Sequence, residues 1–207
     1  FMKKAICLGC IIGLFLIGCQ KKSEEGPEVK LAAALAQVPT TIQNDLLQFA
    51  PSLKSGDFLA ALSSLRSALK HFWEVAPFTL TNIKYVKSDN NSYGIYELKE
   101  NDEFRDGEII YLYIEPIGYS VKKTIEGKFE FGFEADFSVE TEEGEILGGQ
   151  KKFALLEFSS WNFNTEIALT FTYTFSGLKK GRYKLITTVK DIISGKEATC
   201  EKWFTII

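Results

Sequence analysis

The sequence predicts a mainly β protein, an antiparallel sandwich or barrel of about seven or eight strands behind a short α-helical region. Three observations predict it. Aromatic residues make up 14% of the chain, with 17 Phe and 8 Tyr, and these side chains suit a pleated, half-buried surface. Near Thr79 the apolar pattern changes period, from helical spacing to strict alternation. Short turn-forming runs such as KSDNNS, NDEFRDGE, TEEGE and DIISGKE then separate the alternating segments.

The first element is an address label. Lys3 and Lys4 are followed by an apolar run over residues 5–18. As a helix this run would reach about 21 Å, short of the roughly 30 Å hydrocarbon core, so it fits the apolar region of a secretory signal. It ends in Leu16-Ile17-Gly18-Cys19. This tetrapeptide resembles a bacterial lipobox. The resemblance implies cleavage before Cys19, a diacylglyceryl thioether on its sulfur and, in general, acylation of the new amino terminus. Residues 1–18 are then the lipoprotein signal peptide. Residue 20 is Gln rather than the Asp that commonly retains such proteins at the inner membrane. The family resemblance therefore implies a cell-envelope location: the outer membrane of a Gram-negative cell, otherwise the outer face of the cell membrane.

Residues 19–29 carry mixed charge and Gly26-Pro27, a composition that cannot form a core and reads as a flexible tether behind the lipidated Cys19. Cys7 and Cys10 leave with the leader and Cys19 takes lipid. Cys200 remains alone, which excludes an intrachain disulfide. It shares one side of a strand with Phe204 and Ile206 and is expected to be a buried, inert thiol.

Residues 30–76 read as helical. Pro39 and Pro51 are expected to interrupt, and Asp57 to cap the clearest helix. Phe58, Leu62, Leu65, Leu69 and Phe72 form a continuous apolar stripe on that helix. Such a stripe is expected to be covered, by the hairpin itself, by the following domain or by a partner. The segment is similar to one helix of a tetratricopeptide repeat, without a second copy at the needed period.

Residues 77–207 supply the strands. In KFEFGFEADFSVE, Phe129, Phe131, Phe133, Ala135, Phe137 and Val139 alternate with a mainly acidic face. TLTNIKYV, SYGIYEL, EIIYLYIEPI, KKFALLEF, EIALTFTYTF, RYKLITTVKD and ATCEKWFTII follow the same grammar. Gly181-Arg182-Tyr183 at a strand entry fits a tyrosine corner. On these residues the C-terminal region resembles an immunoglobulin-like or fibronectin-type sandwich. The run from WEVAPFTLTNIKY through GRYKL to SGKEA also looks like an uncharacterised class of exported bacterial proteins. These resemblances imply a fold and carry no activity.

The chemistry-bearing residues are sparse. His71 is the single histidine, too few for zinc, and reads as a surface or interface residue near a helix end. Asp89, Asn90 and Asn91, or Asn101, Asp102, Glu103 and Asp106, offer hard oxygens without the spacing of a calcium loop. Glu130, Glu134, Asp136 and Glu140 line one strand face, where a glycosidase-type pair or a solvated face fits equally. No phosphate-binding glycine motif is present. The formal net charge of −3, or −5 without Lys3 and Lys4, excludes nucleic acid as a natural partner.

The sequence thus leads to a lipid-anchored envelope protein that is not an enzyme, with no cofactor beyond the covalent lipid on Cys19. Its sandwich would bind a protein or glycan partner or serve a structural role. The alternative is an envelope enzyme acting on glycan or peptide through carboxylates the sequence does not reveal. A carrier of small apolar ligands would require a closed barrel with a large cavity.

Overall fold

The computed structural model describes residues 33 and 35–207. The lipobox Leu16-Ile17-Gly18-Cys19, the leader over 1–18, the tether over 19–29 and most of 30–34 lie outside the described residues. The chain divides into two units at Pro39, and all elements named below belong to the second.

Helix α1 (Thr40–Ser55) begins directly after Pro39. It runs through Pro51, which was expected to break it. Pro51 lies near the C-terminal end, so its missing N–H and its ring disturb only the last turns. Helix α2 (Phe58–Val75) starts at the predicted cap, where the Asp57 carboxylate accepts the Ala60 N–H at 3.0 Å. The two helices form an antiparallel hairpin, whose α2 side is small: Ala61 and Ala68 are buried and Ser64 is half-buried. Ile42 of α1 is fully buried.

Nine strands follow: β1 (Thr79–Val86), β2 (Glu103–Phe104), β3 (Ile109–Ile117), β4 (Lys122–Lys123), β5 (Phe129–Thr141), β6 (Ile146–Ser160), β7 (Leu169–Thr174), β8 (Gly181–Asp191) and β9 (Glu197–Ile206). One sheet has the order β1-β3-β7; the other has β2-β9-β8-β5-β4, with β6 on the far side of β5. All pairs are antiparallel except β2 with β9. This is the strand plan of an immunoglobulin-like sandwich, the first, second and fifth long strands in one sheet and the remainder in the other.

The core between the sheets is aromatic and continuous. Phe133 on β5 stacks on Phe78 at 6.1 Å, and Phe137 meets Tyr173 of the opposite sheet edge-on at 5.3 Å. Phe204 and Phe104 close one edge. The layers are joined by polar contacts as well. Tyr173 and Thr187 hydroxyls lie 2.7 Å apart, both buried, and the Tyr85 hydroxyl donates to the Lys202 carbonyl at 3.3 Å. These open, filled sheets do not make the closed, hollow barrel a small-ligand carrier needs.

SYGIYEL does not form a strand. Ser92 and Ile95 close a turn within the run, and its last residues meet the end of β1, where Leu98 bridges Val86 and the Lys87 N–H donates to the Glu97 carbonyl. Alternation is a local signal, and the turn at Ser92–Ile95 leaves only the end of this run beside β1. Conversely, Glu103 and Phe104, read as turn, pair in parallel with Thr205 and Ile206 because the end of β9 lies beside them.

Candidate functional site

The sandwich spends its polar residues on structure. Glu115 on β3 is buried, and its oxygens accept the Asn82 side-chain N–H at 2.6 Å and the Tyr113 hydroxyl at 2.7 Å. Tyr113 in turn accepts the Gly94 N–H at 2.9 Å. Asn82 lies in the left-handed region, φ 49, where β1 places two residues against one of β3. Asn tolerates that conformation better than most residues. The network therefore fixes a bulge and the loop above it. Burial, together with Glu115, holds the Tyr113 hydroxyl protonated far above its ordinary range. Sequence reasoning missed Glu115. A carboxylate inside the apolar run IIYLYIEPI was the available signal.

Asp191 is fully buried at the end of β8 and is equally saturated. It accepts N–H groups from Ser120 at 2.8 Å and Ile193 at 2.9 Å, together with the Ser194 hydroxyl. That pattern is a turn clamp between β8 and β9, reaching across to the segment after β3.

Three of the four acidic residues in the β5 row, all but Glu130, pair with lysines. Glu134 meets Lys152 at 3.0 Å, Asp136 meets Lys151 at 2.6 Å and Glu140 meets Lys184 at 3.0 Å. The arrangement suits a solvated sheet face. In the acidic loops, Asn101 accepts the Glu103 N–H and Asp106 the Leu178 N–H, both loop-fixing contacts. Among the described residues no three His, Cys, Asp or Glu side chains converge on a metal-sized point. His71 joins the helices, its Nδ1 2.7 Å from an Asp45 carboxylate oxygen. Cys200 is buried on the expected side of β9, and burial pushes its thiol up to about 11.

At the entry of β8, the Tyr183 hydroxyl donates to the Lys179 carbonyl at 2.7 Å, four residues upstream, and Gly181 starts the strand opposite Ile206. This is tyrosine-corner geometry. Cys19 and its lipobox neighbours lie outside the described residues.

The surface feature that stands apart is on α2. Phe58 is 69% exposed, Leu62 46%, Leu65 42%, Leu69 52% and Phe72 40%. The stripe expected to be covered is bare among the described residues. The physical reason lies in the helix's other faces. Its alanine and serine side meets α1, and of the leucine side only Trp73, one turn beyond Leu69, enters the sandwich core. The row that precedes Trp73 on that side is left over.

No family model matches this chain, and no curated protein is significantly similar to it. Several solved structures are similar at low level. The PKD domain of an M14-like peptidase from a Thermoplasmatales archaeon is 14% identical, with TM-score 0.32 over 63% of this chain and 96% of that one. The sporulation control protein Spo0M from Bacillus subtilis is 10% identical, with TM-score 0.34 over 64% of this chain and 50% of that one. A superoxide reductase from Nanoarchaeum equitans is 22% identical, with TM-score 0.27 over 59% and 99%. At these scores none of the likenesses carries a functional argument.

Proposed function

We propose that the protein is a lipid-anchored lipoprotein of the cell envelope, held by acyl chains on Cys19. Its immunoglobulin-like sandwich acts without catalysis, binding a protein or glycan partner or serving as a structural subunit. The observation that carries this reading is the order Lys3-Lys4, short apolar run, Leu16-Ile17-Gly18-Cys19. Two or three acyl chains hold a protein stably where one does so only marginally. The sandwich supports the non-catalytic half: its buried Glu115 and Asp191 are saturated by internal hydrogen bonds. The anchored protein sits at the outer membrane if the cell has one, otherwise at the outer face of the cell membrane.

Metabolic labelling with a palmitate analogue tests the anchor. Label is expected on the full chain and lost in Cys19→Ser; label that persists in that variant sinks it. Crosslinked pulldown from native membranes tests the second half. Failure to enrich any partner, together with degradation of a glycan or peptide panel by the purified protein, would leave the binding reading untenable.

A further inference from the structure

We infer that the bare face of α2 is a lipid-contact surface, on which the helical hairpin lies against the bilayer that carries the Cys19 lipid. The inference rests on the anchored reading above and adds an orientation to it.

The face itself is the first argument. Phe58, Leu62, Leu65, Leu69 and Phe72 recur at spacings of four and three, so they stand in one row over more than three turns. All five are at least 40% exposed. A contiguous apolar row of this kind marks an interaction surface, whereas scattered apolar side chains do not. The row is Leu and Phe only, with no hydrogen-bonding group to specify a polar partner, which suits an acyl boundary. No described helix is long and apolar enough to cross a membrane. An amphipathic helix of 18 residues lies in the interface instead.

Charge distribution selects the side that faces lipid. Residues 77–207 hold 16 basic against 21 acidic side chains, a net −5 that anionic headgroups repel. Residues 40–76 hold three of each, and Arg66 follows Leu65 on the flank of the row. The hairpin is therefore the electrostatically tolerated approach.

The third argument is where the chain outside the described residues ends. Twenty residues, 20–39, separate Cys19 from Thr40 in the sequence. Of the helices and strands named above, the hairpin is thus the nearest to the anchor along the sequence. Tethering raises its effective concentration at the surface, so a modest intrinsic affinity suffices.

The test uses the full chain in phosphatidylcholine–phosphatidylglycerol vesicles containing spin-labelled lipid. An environment-sensitive dye is attached at Leu65→Cys, or at Lys180→Cys in the turn before β8, with the parent chain as background. The dye on α2 is expected to shift blue and to be quenched several-fold more than the dye at position 180. Equal quenching at both positions overturns the inference. So does a dye at 65 that is shielded from lipid while the chain self-associates, which would make the face a contact between copies. Because all the altered side chains are exposed, Leu62→Glu with Leu69→Glu should fold, as near-ultraviolet dichroism would verify. With the dye at Leu65→Cys, that variant should lose the blue shift and the quenching; unchanged quenching overturns the inference. Palmitate on the same preparations separates the two readings. Quenching without palmitate removes the anchor and leaves the lipid face standing; palmitate without quenching does the reverse.

Discussion

The indole N–H of Trp73 donates to the Tyr119 carbonyl at 3.0 Å, and the two rings meet edge to face at 5.1 Å. One residue from α2 is thereby seated in the sandwich core, among Phe78, Tyr119 and Phe133. Trp73→Ala should cost about 3–5 kcal/mol in urea unfolding, through a cavity and a buried carbonyl left unpaired. Trp73→Phe keeps most of the ring volume and should cost about 1–3 kcal/mol. Equal losses for the two variants would show that ring volume contributes little to the seat.

Gly118 lies directly beneath that junction, at φ +73, and a Cβ there would stand 2.4 Å from the Pro77 carbonyl oxygen. Gly127 has a similar φ of +88 but open space around it. Gly127→Ala should therefore lose only the conformational term, about 1 kcal/mol. Gly118→Ala must in addition displace backbone where the hairpin joins the sandwich, and it should lose clearly more. Thermal unfolding of the pair is the check; matched losses would mean the Pro77 segment yields freely.

Asp136 pins an irregularity in β6. Its Oδ1 accepts the Lys152 N–H at 2.6 Å, where Lys152 has φ 51, and Lys151 donates to Oδ2. Three β6 residues, 151–153, stand opposite this one position of β5. The Lys151 hydrogen bond, then that of Lys152, holds the carboxyl below its usual range. The native state thus prefers the ionised form. Its contribution is present above about pH 4 and fades as pH falls through the lowered native value. Asp136→Asn should flatten the acid limb of a stability–pH curve and lower neutral stability by the same amount, a small one since Lys151 is exposed. An unaltered acid limb would refute the assignment.

The alkaline side depends on burial. Tyr85, Tyr119 and Tyr173 are raised chiefly by desolvation, as is Tyr113, and Cys200 is pushed up to about 11. The unfolded chain sheds these protons first, so stability is intact below about pH 8.5 and falls as pH rises through the native values. Tyrosinate absorbance from these four should appear together with unfolding, and Cys200 should resist alkylation at pH 8 until denaturant is added. Full tyrosinate amplitude, or rapid alkylation, in the folded state would contradict this.

Much of the sandwich was legible because its strands are half-buried. The alternation from Phe129 to Val139 marks β5, and Phe131, Phe133, Ala135 and Val139 are buried as that pattern requires. Cys200, Phe204 and Ile206 likewise share the inner face of β9. What failed depended on neighbours rather than on local pattern. SYGIYEL has strand composition but turns on itself and reaches β1 only at its end, whereas Glu103-Phe104 has turn composition and a partner in β9. On α2 the apolar moment points along the leucines, yet the helix packs through its small residues because those allow close approach to α1. Glu115 was invisible as a network member, since its partners Asn82 and Tyr113 converge only when β1 bulges.

The kink at Lys151 and Lys152 also decides what the long β6 strand can do to its neighbours. Among the described residues β6 pairs with β5 alone, so it is an outer rim of 15 residues with its other side unladdered. A flat rim of that length would template addition of a foreign strand. A left-handed residue, two exposed ammonium groups and Gly148-Gly149 interrupt it midway. Chains crowded side by side on a common surface would meet at such rims often. The interruption keeps those meetings from growing into a shared sheet.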